Sequence, residues 1–278
     1  MSAVTIPRTG TTIEYSTFGD PAGEAVLLVV GYQTAQVGWD EQFCALLAEG
    51  GHYVIRFDNR DIGRSTKHPD DAPPYSLCDL ADDAAGLLEA LGIDSAHVVG
   101  GSLGGMIAQH LVLDHPERVR TLTLLMSTTF EPDVQPDFDA VAALMADAPT
   151  DPVEAFVATA SFQSGGRYLD ADYLREQATI AVDYGLYPES ATRQLTAMLT
   201  FVPLVERLAL IDVPTLVVHG RNDPLMPLAA SERLAQVIPG AHLLVLDGMG
   251  HELPPPLWPV ICGSIHGITR THTQGEDR

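Results

Sequence analysis

Two hydrophobic periods alternate along the chain. Short runs rich in Val, Ile, Leu and Thr recur at 11–19 (TTIEYSTFG), 25–31 (AVLLVVG), 52–58 (HYVIRFD), 96–100 (AHVVG), 121–126 (TLTLLM), 215–220 (TLVVHG) and 242–248 (HLLVLDG). The later runs are nearly continuous rather than alternating, which is how strands covered on both faces read. Between the runs lie segments of helical period: DEQFCALLAEG, LCDLADDAAGLLEALG, GGMIAQHLVLDH and ASERLAQVIPG. In the second, Leu77, Leu80, Ala84, Leu87, Leu88 and Leu91 share one helical face. Strands alternating with helices predict βαβ units and a mostly parallel sheet. The start differs: AVTIPRTGTTIEYSTFGD reads as two strands of an antiparallel hairpin turning at Arg8-Thr9-Gly10. Together these give eight strands, with helices on both faces.

One interval breaks the rhythm. From 129 to 207 no strand-like run occurs, and the pattern is helical. Such a stretch is too long for a plain loop. It predicts a helical cap, 129–207, inserted between the sixth and seventh strands, with 1–128 and 208–278 forming the core. The interval is rich in aromatics, from which Phe130, Phe162, Tyr184 and Phe201 are candidates for an apolar substrate pocket. The plainer alternative is that they pack the cap's own interior. The last residues, THTQGEDR, read as a frayed tail.

Composition narrows the function. The formal net charge of −22 repels phosphate backbones and anionic lipid heads, so neither nucleic acid nor a membrane surface is an expected partner. The three cysteines, Cys44, Cys78 and Cys262, are far apart and form no C-x-x-C, which predicts buried free thiols. The chain opens without a charged segment leading into an apolar one, and no apolar run reaches membrane-spanning length. The expectation is a soluble cytoplasmic protein, with a homo-oligomer as an option.

The candidate chemistry begins at Gly100-Gly101-Ser102-Leu103-Gly104, the one G-x-S-x-G in the chain. A strand precedes it, and Leu103, Met106, Ile107 and Leu111 mark a helix after it. That is the context of a nucleophile elbow, where a serine sits on a strained strand-to-helix turn among glycines. A glycine-rich packing turn is the bland alternative. A serine hydroxyl needs a base, and in the chain order serine, acid, histidine the partners come later. Asp223 follows one strand in TLVVHGRNDPLMP, and His251 follows the last in LLVLDGMGHELPPP. Asp247 is a rival acid, and Asp223 before a proline is alone consistent with a simple turn. His219 ends a strand and reads as a packed histidine, as do His97, His110 and His115, which lack ligand spacing. His251-Glu252 lacks the second histidine of a zinc motif, so no metal is expected. No phosphate-binding or dinucleotide fingerprint is present either, so no cofactor is expected. For the oxyanion, the main-chain N–H groups of Leu103 and Tyr32 are the candidates. Gln33 is a further substrate-side candidate.

These motifs resemble the α/β-hydrolase superfamily. RFDNRDIGRS (56–65) is similar to that family's D-x-R-G-x-G-x-S loop, departing at Asp61, where the family usually has Gly. HGRNDPLMP resembles its acid loop and LDGMGHELP its histidine loop. GYQTAQVGW, VIRFDNRDIGRST, HVVGGSLGG and GMGHELP look closest to the actinobacterial aclacinomycin methylesterase type, which cleaves a methyl ester of an anthracycline polyketide. Two departures stand out: Gly31-Tyr32-Gln33 where many relatives have His-Gly or Gly-Gly, and Gly101 before Ser102. The resemblance implies an α/β-hydrolase fold and an ester-cleaving serine hydrolase. In it Ser102 is nucleophile, His251 base and Asp223 orienter, and the substrate is a small hydrophobic ester or lactone. Two alternatives stay open: C–C bond or enol-lactone hydrolysis, or cyclisation, on the same triad, and small-molecule binding without catalysis.

Overall fold

A computed structural model describes residues 1–69, 71–146 and 148–276, with side chains beyond 271 and at 144 and 145 left aside. Eight strands form one sheet in the order β1-β2-β4-β3-β5-β6-β7-β8. They are β1 (Ser2–Thr5), β2 (Thr12–Phe18), β3 (Glu24–Val29), β4 (His52–Phe57), β5 (Ala96–Gly101), β6 (Val119–Leu125), β7 (Thr215–Gly220) and β8 (His242–Leu246). β1 and β2 pair antiparallel, and β2 runs antiparallel to β4. All the remaining pairs are parallel. The hairpin turn is set by Gly10, whose φ of 73° suits glycine.

The helices are α1 (Glu41–Ala48), α2 (Leu77–Ala90), α3 (Leu103–Asp114), α4 (Phe138–Ala146), α5 (Pro152–Gln163), α6 (Ala171–Tyr184), α7 (Ala191–Leu199), α8 (Val205–Leu208), α9 (Leu228–Val237) and α10 (Trp258–Glu276). The continuous apolar runs have a direct cause, since alternate residues of each inner strand enter two different cores. Leu27, Val29, Ile55, Phe57 and Val98 pack with α2, α3 and α9 on one face. Val26, Leu28, Val54 and Val99 pack with α1 and α10 on the other. The predicted face of α2 is the buried one, except that Leu91 is only half-buried. A capping box of Ser76 and Asp79 starts that helix.

Three expectations need correction. The tail does not fray at Thr271, because α10 continues through Glu276, and residues 277–278 lie outside the described ones. Cys44 and Cys262 are buried, and burial pushes both thiols up to about 12, but Cys78 is exposed. The strand β6 opens two residues earlier than its apolar run, at Val119. Between β6 and β7 the described residues form no strand, and α4 to α8 lie there. No described helix is long and apolar enough to cross a membrane.

The turn from β5 into α3 is closely packed. Ser102 has φ 54° and ψ −120°, a conformation costly for any residue with a Cβ. Its N–H donates to Leu125 O at 2.9 Å, and Ser127 Oγ donates to its carbonyl at 2.9 Å. A Cβ on Gly104 would stand 2.2 Å from Val29 O, and one on Gly100 would stand 2.3 Å from Gly104 O. On Gly105 it would strike the Ser127 side chain at 2.5 Å. Gly101 is different from the other three, because a Cβ there meets only Trp39, at 3.7 Å. Three of the four elbow glycines are therefore required by close approach, and Gly101 is not.

Two predictions follow from these placements. Gly104→Ala forces α3 off β3 and is expected to destabilise by about 1–3 kcal/mol, whereas Gly101→Ala stays within roughly 0.5 kcal/mol; chemical denaturation of both variants measures the difference. Glu252 is half-buried, and desolvation raises its carboxyl to about 7. The folded chain therefore holds this proton where the unfolded chain has lost it, so stability declines as pH rises from about 4.5 to about 7. Glu252→Gln should remove that part of the slope in melting curves recorded from pH 4.5 to 8.

Candidate active site

The elbow, the acid loop and the histidine loop all leave the carboxyl ends of parallel strands. Ser102 follows β5, Asp223 follows β7 and His251 follows β8. Sites gather at this edge because the loops there converge while the strands hold them rigidly. Asp223 is almost completely buried and fully bonded. Its Oδ1 accepts the N–H groups of Leu225 at 2.8 Å and Met226 at 2.7 Å. Its Oδ2 lies 2.7 Å from His251 Nδ1, so the carboxylate fixes the ring's orientation through that nitrogen.

The histidine is held from its main chain too. His251 N–H donates to Gln163 O at 2.7 Å, at the end of α5. A Cβ on Gly250 would stand 2.1 Å from that same carbonyl, so the loop needs glycine where it meets the helical segment. Among the described residues Ser102 Oγ forms no hydrogen bond, so the bond between it and His251 is open in this structure. Catalytic hydrogen bonds often close only with substrate bound.

The rival residues have other partners, although His219 Nε2 also stands 3.7 Å from Asp223 Oδ2. Asp247 is exposed and pairs with Arg221. His219 is buried with both ring nitrogens engaged, by Ser231 Oγ at 2.7 Å and Met226 O at 3.0 Å. His115 lies 2.7 Å from Asp82.

The loop after β3 passes directly over the serine. A Cβ on Gly31 would stand 3.3 Å from Ser102 Cβ and 3.9 Å from its Oγ. The next N–H groups are divided in use. That of Gln33 donates to Gln194 Oε1 at 2.8 Å. Those of Tyr32 and Leu103 have no protein acceptor among the described residues. These two N–H groups, one beside the serine and one at the start of α3, suit an incoming oxyanion.

The side chains expected to line a pocket have other partners. Gln33, at φ 53°, donates through Nε2 to Ser190 Oγ at 2.6 Å. Tyr32 Oη donates to Ala191 O at 3.1 Å. Tyr184 is buried, donates to Asp58 Oδ2 at 2.6 Å, accepts from Gln36 Nε2 at 2.8 Å, and has Arg64 stacked over its ring. Phe130 and Phe201 are buried in the core, edge to face with each other at 6.0 Å. Phe162, on α5, is half-buried and stands next to the residue that holds His251.

Sequence reasoning missed the residues that make these holds: Asp58, Asp61, Gln163, Ser190, Arg193 and Gln194. Asp61 carried a signal, being the residue that departs from the resembled loop. It is fully buried at φ 71°, and Arg193 of α7 grips it with Nε at 2.7 Å and a terminal nitrogen at 3.0 Å. Tyr75 Oη donates to the same carboxylate at 3.2 Å. Asp58 is also fully buried, and burial raises its carboxyl despite donors from Gln36, Arg64 and Tyr184. A cavity of about 610 Å³ opens elsewhere, between β2 and α6, lined by Tyr15, Phe18, Arg56, Arg64, Ile180 and Tyr184. It does not include Ser102.

The comparisons with known proteins agree with this architecture. Residues 24–254 match the family described as alpha/beta hydrolase fold. Rhodomycin D methylesterase DauP of Streptomyces sp. (strain C5) is 32% identical, over 92% of this chain and 94% of that protein. The solved structure of the meta-cleavage product hydrolase CumD from Pseudomonas fluorescens IP01 superposes with a TM-score of 0.80 at 22% identity, covering 98% of each chain. Est816, described as an N-acyl homoserine lactone degrading enzyme, superposes at 0.69 with 29% identity, covering 92% of this chain and 97% of that one. The chain belongs to the α/β-hydrolase family.

Proposed function

We propose that the chain is a serine hydrolase that cleaves a carboxylic ester through an acyl-enzyme. The observation that carries this reading is the 2.7 Å bond between buried Asp223 and His251, on the same sheet edge as the strained Ser102. In this reading Ser102 Oγ attacks the ester carbonyl while His251 Nε2 takes its proton. The N–H groups of Tyr32 and Leu103 receive the negative oxygen of the tetrahedral intermediate. Asp223 stabilises the imidazolium. The proton then passes from His251 to the departing alkoxide, and the acyl group stays on Ser102. Water, deprotonated by His251, attacks that ester and releases the acid.

The likeness to a rhodomycin D methylesterase supports a methyl ester of a hydrophobic, polyketide-like molecule as substrate. The likeness to Est816 favours a lactone as the second reading, and both use the same acyl-enzyme chemistry. The helices between β6 and β7 act as the cap over this site.

Two experiments test the proposal. Intact-mass spectrometry after fluorophosphonate treatment should find one adduct on the wild type and none on Ser102→Ala. An unlabelled, folded wild type would sink the proposal. A panel of methyl esters and lactones then assigns the substrate class. The second experiment addresses the oxyanion loop. Gln194→Ala removes the acceptor of Gln33 N–H and lets the adjoining Tyr32 N–H drift. We expect kcat to fall about 10- to 100-fold with KM little changed, less than the loss from deleting a donor outright. An unchanged kcat would show that α7 does not hold this loop.

A further inference from the structure

The amino ends of the central strands carry a second cluster of polar groups, far from the serine. Glu24 opens β3 and His52 opens β4, and the register places them side by side. His97, on β5, pairs with Val26 on the other flank of β3. The ligand atoms of Glu24, His52 and His97 all lie within 4.8 Å of one another. This proximity comes from sheet register, which is why no sequence spacing announces it.

We infer that Glu24, His52 and His97 form a binding site for a transition-metal dication of the zinc class. Two nitrogens and a carboxylate oxygen are the donor set such ions take. Donors about 2 Å from a shared ion stand roughly 3.3 Å apart, and His97 Nε2 lies 3.5 Å from Glu24 Oε2. Outer contacts already orient the rings. His97 Nδ1 is 3.0 Å from Thr121 Oγ1, and His52 Nε2 is 3.3 Å from Thr269 Oγ1. Ligating histidines commonly have their second nitrogen fixed in this way. Arg120 holds the other oxygen of Glu24 at 2.7 Å, which turns Oε2 toward the rings. Both imidazoles are buried, at 5% and 0% exposure, while Glu24 reaches solvent and gives the ion its entry. The cation of Arg120 opposes a dication, so affinity should fall below that of an all-protein structural zinc site.

Such an ion would tie three neighbouring strands together. It would sit roughly 20 Å from the serine by the strand rise, so its effect would be on stability rather than on the reaction. A ligand that binds only the folded chain stabilises it by mass action. A second group, Cys78, His110 and Asp114, also lies within ligand range. Arg207 holds one oxygen of Asp114 as Arg120 holds one of Glu24, so this group is removed from the experiment by Cys78→Ser.

The test uses the full chain in the Cys78→Ser background, stripped with chelator and titrated with Co²⁺ and Zn²⁺. One equivalent of Co²⁺ should bind and give two hyperfine-shifted imidazole N–H signals, and Zn²⁺ should raise Tm. Glu24→Gln and His52→Gln, first shown folded by circular dichroism, should each weaken binding at least tenfold. Metal-free stripped protein that takes up neither ion would overturn the inference whether or not the variants fold. So would a Zn²⁺-induced rise in Tm that is the same in wild type and Glu24→Gln, since the ion would then be bound elsewhere.

Discussion

The turn at Ser102 is the constraint on which the rest of the structure depends. A residue with a Cβ is held at φ 54° and ψ −120°, and only its surroundings keep it there. β5 fixes the approach, and α3 fixes the exit by lying against the carbonyls of Val29 and Val30, close enough that Gly104 has no room for a side chain. The parallel register of β3, β5 and β6 is what brings those carbonyls, the Leu125 acceptor and the serine to one place. The apolar runs that fill both cores are thus also what supports the strain. The hydroxyl is lifted above the sheet edge because burial elsewhere leaves the turn no easier conformation.

The helices between β6 and β7 hold two of the loops at this edge. The end of α5 holds His251 through Gln163 O, and the start of α7 holds the loop over the serine through Ser190, Ala191 and Gln194. α7 is in turn tied to the core by Arg193 on Asp61, and α6 by Tyr184 on Asp58. Both carboxylates are fully buried, where removing one partner of a pair leaves a costly unpaired charge. The helical segment is therefore fastened by interactions that tolerate little loosening. His251 and the loop that carries the proposed oxyanion donor both take their positions from it.

This explains which parts were legible beforehand. Strands and helices of the core could be read because periodicity reports burial, and burial is what the two cores impose on each strand. The elbow, acid and histidine loops could be read because each sits at a fixed place relative to a strand end. The holds on α5, α6 and α7 could not, because Gln163, Ser190 and Gln194 are ordinary polar residues whose partners lie far away in the chain. Asp61 was the exception: a charged residue where the resembled loop has glycine is a local cost, and Arg193 is what it secures. The pairing of Glu24 with His52 and His97 was equally hidden, since strand register is not written in spacing.

The same contacts bear on specificity. Composition suggested an aromatic-lined pocket, yet Phe130 and Phe201 pack the core, Tyr184 anchors α6, and Gln33 is spent on α7. Changing residues that hold this helical segment in place loosens the loops at Ser102 and His251 as well. Of the residues expected to line a pocket, Phe162 on α5, half-buried beside the Gln163 that holds His251, is the one not spent in this way. A fold that fastens His251 and the loop over Ser102 through one helical segment couples the positions of the two.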